Sequence, residues 1–230
     1  MSSQRDAASE DPPAARAPTR LSRFSAARLP TPYGDFQLVV YRASDAPPDT
    51  PADRHEEHVA MVRGDVRGGG AVLARVHSSC FTGEVLGSLR CDCREQLDRA
   101  LERIAAEGRG VVVYLVQEGR GIGLGNKVRA YALQDEGVDT VDANLALGFD
   151  ADPRSYDLAA QILADLGVTA VRLMTNNPAK IRGLEGAGVA VTAQEPHWVG
   201  ANAHSAAYLE AKQTRMGHLG KNDTDDEGKG

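Results

Sequence analysis

The sequence predicts an α/β protein with a mixed sheet, an N-terminal β-meander followed by alternating strands and helices, and disordered termini. Three observations carry this expectation. Short apolar runs separated by Gly- and Pro-rich turns fill the stretch from Leu29 to His77. From Arg94 onward, strand-like runs alternate with runs at helical spacing. Val111-Val-Val-Tyr-Leu-Val116 is a fully apolar run, as in a buried central strand.

The elements follow in order. Residues 1–28 are rich in Ala, Pro, Ser and Arg without apolar periodicity and read as a disordered extension. Order is expected from Leu29. After the turn cluster Pro30–Asp35, Phe36–Tyr41 reads as a strand, Ala43–Arg54 as a Pro- and Asp-rich loop, His58–Arg63 as a second strand and Ala71–His77 as a third. Arg94–Glu107 carries Leu97, Leu101, Ile104 and Ala105 on one helical face and ends at Gly108. The next expected elements are a helix over Asn126–Glu136 and a second one opened by Asp152-Pro153 and running through Leu166. A strand over Val168–Met174, a helix over Pro178–Ala187, a strand over Val189–Ala193 and a helix over His204–Met216 complete the domain, placed at 29–219. The tail 220–230 holds mostly Gly and charged residues and is expected to be disordered.

Composition narrows the function. Net charge is −6, from 26 basic and 32 acidic residues, which argues against a general nucleic-acid binder. No apolar run reaches the roughly 18 residues that span a membrane, and the N-terminus has no continuous apolar segment of a secretory signal. The three cysteines cannot pair completely, so the expectation is a cytoplasmic protein whose thiols serve metal or catalysis.

All three cysteines, Cys80, Cys91 and Cys93, fall in one short stretch. Cys-x10-Cys-x-Cys supplies three thiolates and reads as a soft-metal site, zinc first. Zinc takes four ligands, and three protein ligands plus water describe an open, reactive site. His77 is the candidate to close the shell, which would make the site structural. His55-Glu-Glu-His58 lacks zincin spacing and reads as solvated surface.

Glu118-Gly-Arg-Gly-Ile-Gly-Leu-Gly-Asn-Lys127 lies between a strand and a helix but fails both the dinucleotide and the P-loop spacing. It remains a glycine-rich turn running into a helix N-terminus, with Arg120 and Lys127 beside it, and suits phosphate. Thr175-Asn-Asn-Pro178-Ala-Lys180 is a second strand-to-helix junction of this kind, and it also reads as simple capping.

Read together, Arg75-Val-His-Ser-Ser-Cys80, Ser88-Leu-Arg-Cys-Asp-Cys93, Gln117-Glu-Gly-Arg-Gly-Ile-Gly-Leu124, Asn126–Asp135 and Leu173-Met-Thr-Asn-Asn-Pro178 resemble GTP cyclohydrolase II over about residues 29–219. The resemblance implies hydrolysis of GTP to 2,5-diamino-6-(5-phosphoribosylamino)pyrimidin-4(3H)-one, formate and pyrophosphate, the first step of riboflavin biosynthesis. It implies zinc on Cys80, Cys91 and Cys93 with a water in the fourth position, Mg2+ on the triphosphate, and a homodimer. It places Arg75, Val76, His77, Ser78, Ser79, Gln96, Glu118, Gly119, Arg120, Thr140, Thr175 and Lys180 around GTP, with Glu118 accepting from the guanine N–H groups. Arg154 matches the family's nucleophile on the α-phosphate, Asp152 its proton acceptor, and Tyr131 lies near the reacting base. A bifunctional relative carries a butanone-phosphate synthase domain ahead of this one, and the short leader here leads to the expectation of a monofunctional chain.

Asp152 before Pro153 also reads as an N-cap with Pro at N1. A guanidinium stays protonated, so an electrostatic clamp on phosphate is the physically simpler role for Arg154. Tyr131 also reads as a core residue. The sequence departs from the family at Ser79, where an acidic residue is usual, and at Arg94, where Gly is common. These departures keep open a relative that releases pyrophosphate but retains the formyl group, or one serving another guanine-derived metabolite. A silent zinc-stabilised binding module is the reading from a different class.

Overall fold

The computed structural model describes residues 20–44, 56–149, 155–200, 202–203, 205–215 and 217–219. One seven-stranded sheet organises them. It is built from β1 (Arg20–Thr31), β2 (Gly34–Ser44), β3 (Glu56–Arg63), β4 (Val72–Ser78), β5 (Gly110–Leu115), β6 (Ala170–Met174) and β7 (Ala190–Glu195), in the order β1-β2-β3-β5-β4-β6-β7. The helices are α1 (Phe81–Glu84), α2 (Cys93–Glu107), α3 (Gly123–Asp135), α4 (Thr140–Ala146), α5 (Asp157–Asp165), α6 (Pro178–Gly186) and α7 (Ala206–Thr214), with a 3-10 turn at Glu118–Gly121.

The mixed α/β sheet is the expected class, with one change of topology. β1, β2, β3 and β5 pair antiparallel, whereas β4 is parallel to both β5 and β6, and β6 to β7. The third strand of the expected meander is therefore a central strand of the parallel half. Its burial gives the reason: Val72 through His77 are all buried, and a strand covered on both faces belongs inside a parallel sheet.

Strand alternation sorts the core into two layers. Val72, Ala74, Val76, Val111, Val113 and Leu115 point to the layer shared with α5 and α6. Leu73, Val112, Met174 and Phe36 point the other way and pack beneath Ala100, Leu101 and Ile104 of α2. By the same alternation Arg75 and His77, which follow Leu73, lie on the α2 face, so two buried polar side chains are aimed under that helix. From β4 the chain crosses through α2 to β5 on one side, and β6 then lies on the other. Ligands in open α/β sheets bind beyond the carboxyl ends of strands at such a divergence.

Three further expectations change. The extension assigned to residues 1–28 is corrected at its end: β1 begins at Arg20, well before Leu29. Its side chains are mostly exposed and show no apolar alternation, so the strand owes its existence to pairing with β2 and to Arg23, which bonds Asp165 on α5 at 2.6 Å. The helix expected from Asp152 begins at Asp157, with the Ser155 hydroxyl accepting from the Asp157 N–H at 3.1 Å. Asp152, Pro153 and Arg154 themselves lie outside the described residues.

His58 is not solvated surface. It is fully buried on β3, and its Nδ1 accepts from the Val116 N–H at 3.1 Å, just past the end of β5. β3 turns His58, Ala60 and Val62 inward as one face, a period that the neighbouring glutamates conceal in the sequence. His55 lies outside the described residues. The short helix α4 was not expected; Thr140 is its first residue.

Candidate functional site

The cysteine cluster is built where β4 ends. Cys80 precedes α1, and Cys91 and Cys93 bracket Asp92 at the start of α2. The three sulfurs lie within 4.8 Å of one another, with Cys80 Sγ and Cys91 Sγ 3.6 Å apart. A tetrahedral zinc with Zn–S bonds of about 2.3 Å separates its sulfurs by roughly 3.8 Å, so the spacing suits a soft tetrahedral ion. The thiols are too far apart for a disulfide, whose sulfurs sit about 2.05 Å apart.

Gly83 makes the close approach possible. A Cβ there would meet Cys91 Sγ at 2.8 Å and Cys80 Sγ at 3.3 Å. A side chain at this position would push into the cluster.

The thiols share protons unequally. Cys80 is driven well below the usual thiol range, first by hydrogen bonds from Cys91 and Cys93 and then by Lys127. Cys91 is pushed up to about 11 by its bond to Cys80, and Cys93 rises through its bonds to the other two thiols and burial. A metal bound by these thiols would release the protons they carry.

His77 does not close the shell. Its Nε2 is 2.8 Å from Glu84 Oε1, its ring stacks on Tyr114 at 5.7 Å, and burial pushes it toward the neutral form. Tyr114 donates to the other Glu84 oxygen at 2.6 Å. The metal-competent group among the described residues is therefore the three cysteines alone.

Lys127, on α3, donates to Cys80 Sγ at 3.1 Å and to Glu118 Oε1 at 2.7 Å. Burial works against its charge, but Glu118 and Cys80 outweigh it and hold the ammonium protonated. Glu118 Oε2 also accepts from the Phe81 N–H at 2.6 Å. Glu118 thereby ties the 3-10 turn to α1 and Lys127. The turn needs left-handed backbone at Gly119 and at Arg120, whose φ of 64° is rare for a side-chain-bearing residue.

Two cavities meet at this centre. A small one of about 120 Å3 is lined by Ser79, Cys80, Cys91, Gly119, Lys127 and Tyr131. Tyr131 reaches the cluster through Thr82, whose hydroxyl is 3.4 Å from the phenol and 3.6 Å from Cys80 Sγ. A larger cavity of about 770 Å3 is lined by Arg75, His77, Gln96, Thr175 and Lys180, together with Arg99, Asn176, Asn177, His197 and Trp198. Ser78, Cys93, Arg120 and Tyr208 border both.

The large cavity is rich in cations held in place by backbone and side-chain acceptors. Lys180 donates to the Val76 carbonyl at 2.8 Å. Arg75 donates to the Met174 carbonyl at 2.6 Å and to Gln96 Oε1 at 2.5 Å. The α6 junction is capped as its sequence indicates, Asn177 Oδ1 accepting from the Ala179 N–H at 2.9 Å with Pro178 at the helix start. His197 donates from Nε2 to the Gln96 carbonyl at 2.8 Å, and burial, then Arg75, pushes its pKa down to about 3.

Most of the expected site residues therefore border one or the other cavity. Val76 borders neither: its side chain sits in the core and its carbonyl accepts from Lys180. Glu118 stands behind Lys127, and the side chain of Thr140 is outside the described set, as are Asp152 and Arg154. The sequence reading missed Lys212, Asp92, His197, Trp198 and Tyr208. Asp92 carried a signal, lying between two cysteines, but Lys212 and Tyr208 carry none apart from their place on α7. Arg94 points away from the thiols: it donates to the Glu84 carbonyl at 2.6 Å and to Asp98 at 3.0 Å.

Fold and site together define an α/β enzyme with a three-thiol centre opening onto a cation-lined crevice at the carboxyl ends of parallel strands. A family model described as GTP cyclohydrolase II matches residues 22–196. A GTP cyclohydrolase-2 of Actinobacillus succinogenes is 53% identical over 199 residues, covering 86% of this chain and 88% of that protein. Another from Escherichia fergusonii is 52% identical over 200 residues, covering 87% and 97%. A riboflavin biosynthesis protein RibBA of Rhodococcus erythropolis is 54% identical over 201 residues, and the chain spans about half of it, 46%. The chain belongs to the GTP cyclohydrolase II family of hydrolases.

Proposed function

We propose that this protein hydrolyses GTP, opening the imidazole ring of guanine and releasing formate and pyrophosphate to give 2,5-diamino-6-(5-phosphoribosylamino)pyrimidin-4(3H)-one for riboflavin synthesis. The observation that carries this is the junction of the two cavities. A thiol cluster suited to a soft metal shares Ser78, Cys93, Arg120 and Tyr208 with a crevice large enough for a nucleotide.

The cysteines would hold one zinc ion, which supplies a Lewis acid and a water of lowered pKa at the base end. Around it, Lys127 keeps a positive charge against Cys80 and so offsets the excess negative charge of three thiolates. Tyr131 faces the same small cavity and is the group there able to move a proton at its phenolic oxygen. Lys180, Arg75 and Arg120 line the larger space and would receive the triphosphate with its Mg2+.

Arg154 and Asp152 are the proposed phosphate-handling pair, with Arg154 facing the α-phosphate and Asp152 orienting it. Ser155, the described residue that follows them in sequence, accepts through its carbonyl from Gln117 Nε2 at 3.2 Å, just past the end of β5. The working unit is a domain reaching to residue 219, assembled as a cytoplasmic homodimer.

The test is incubation with GTP, Zn2+ and Mg2+, with formate and pyrophosphate assayed separately. Both products are expected in equal amounts. Pyrophosphate without formate would replace this reading by the formyl-retaining relative, and neither product would reduce the chain to a binding module. Light scattering checks the dimer.

A further inference from the structure

We propose that Lys212 is a positioning residue for the thiol centre: it holds the C-terminal helix α7 on Asp92, so that the nucleotide cavity and the cysteine cluster are set as one unit. The inference rests on the reading of the cysteines as a zinc site and of the large cavity as the nucleotide site.

The geometry is a continuous polar chain. Lys212 Nζ donates to Asp92 Oδ1 at 2.8 Å. Asp92 Oδ2 accepts from Gln96 Nε2 at 2.6 Å, Gln96 Oε1 accepts from Arg75 Nη2 at 2.5 Å, and Arg75 Nη1 donates to the Met174 carbonyl at 2.6 Å. The chain thus runs from α7 through the first turn of α2 to the ends of β4 and β6. Asp92 is flanked in sequence by Cys91 and Cys93, so a shift of its carboxylate is transmitted to both sulfurs.

The attachment is polar in character. Ala211 is the buried apolar side chain among the described residues of α7, whereas Lys212 and Asp92 expose 12% and 5% of their side chains. A buried ion pair is a poor way to gain stability, and an apolar pair would hold a helix at lower desolvation cost. What the pair does supply is one defined geometry, at the residue between two proposed ligands. The same ammonium lies 4.3 Å from the Tyr208 ring, and Tyr208 borders both cavities. Beyond the helix, the His218 N–H donates to the Lys212 carbonyl and the Leu219 N–H to the Asn176 carbonyl, each at 3.0 Å, which sets His218 and Leu219 against the segment leading into α6. Coupling of this kind is reciprocal: whatever tightens the cluster must tighten α7.

The test uses the full zinc-loaded chain and hydrogen exchange read by mass spectrometry. Removing zinc with a chelator is expected to speed exchange across residues 205–219 by about tenfold or more while the β4 and β5 amides stay protected. Lys212→Met is expected to speed the same amides with zinc still bound, to raise KM for GTP, and to accelerate zinc loss to a chromogenic chelator by about 10- to 100-fold. Unchanged α7 exchange on zinc removal overturns the proposal. So does a Lys212→Met protein whose helix loosens while zinc loss and KM keep their wild-type values, since α7 would then be a structural cover. If Lys212→Met does not fold, the zinc-removal arm on the wild-type protein decides by itself. A wild-type chain that retains no zinc at all strikes the zinc reading first, and with it this coupling.

Discussion

The two cavities are made in opposite ways. The small one is centred on a short stretch of chain, Ser78 to Cys93, with the 119–122 turn and α3 laid across it and Asn144 and Tyr208 at its edge. The large one draws on β4, α2, the β6–α6 junction, the segment around His197 and α7, which are far apart in sequence. In the small cavity, chemistry comes from residue type: three sulfurs, the Lys127 ammonium and the phenols of Tyr131 and Tyr208. In the large one it comes from placement, because its arginines and lysines are ordinary until the fold gathers them from separate elements around one crevice. Damage to the small cavity should therefore abolish chemistry at once, and damage to the large one should be graded.

The sharpest break is at the thiols. Cys91→Ser should lose bound zinc and depress formate release by on the order of 1000-fold or more, checked by metal analysis beside the formate assay. A Cys91→Ser protein that keeps full activity would remove the cluster from the mechanism. Next comes a change that leaves every ligand in place. Gly83→Ala forces a Cβ toward Cys91 Sγ, at 2.8 Å, and should weaken metal binding by about 10- to 100-fold in chelator competition. Wild-type affinity in that variant would show that α1 moves aside freely.

The large cavity should respond by degrees. Lys180→Met removes a buried cation and should lower kcat/KM for GTP by about 10- to 150-fold while bound zinc stays stoichiometric. Loss of zinc in this variant would erase the distinction between the two regions.

The smallest effect is a pH dependence. The folded His197 resists protonation down to about 3, whereas the unfolded chain takes up the proton near 6.5. Its contribution is fully present above about pH 6.5 and is lost as pH falls toward 3. Between pH 7 and pH 5 that loss amounts to about 2 kcal/mol of unfolding free energy. Denaturant unfolding at the two pH values should show a smaller drop for His197→Asn than for wild type, and an equal drop would contradict the neutral buried imidazole.

Legibility in the sequence followed the same divide. The thiol cluster, the glycine-rich turn at 118–125 and the junction at Thr175–Lys180 were readable because their chemistry is local: ligand spacing, left-handed glycines, a cap with Pro behind it. β2, β3, β5, α2 and α6 were readable from period and capping. β1 was not, since an exposed edge strand has no apolar alternation to show. Nor was the burial of His58, because Glu56 and Glu57 mask the inward period of β3.

By itself the sequence determined that three thiols stand together, that strand-to-helix junctions marked by glycine or Asn-Pro exist, and that strands and helices alternate around them. These are properties of neighbours along the chain, and short-range sterics and spacing are enough to set them. The tertiary structure decided that β4 is a central parallel strand, that Glu118 serves Lys127, that His77 serves Glu84, and that α7 reaches Asp92. Each of those depends on which distant groups are buried together, where desolvation leaves every polar atom in need of a partner and the fold alone chooses which one.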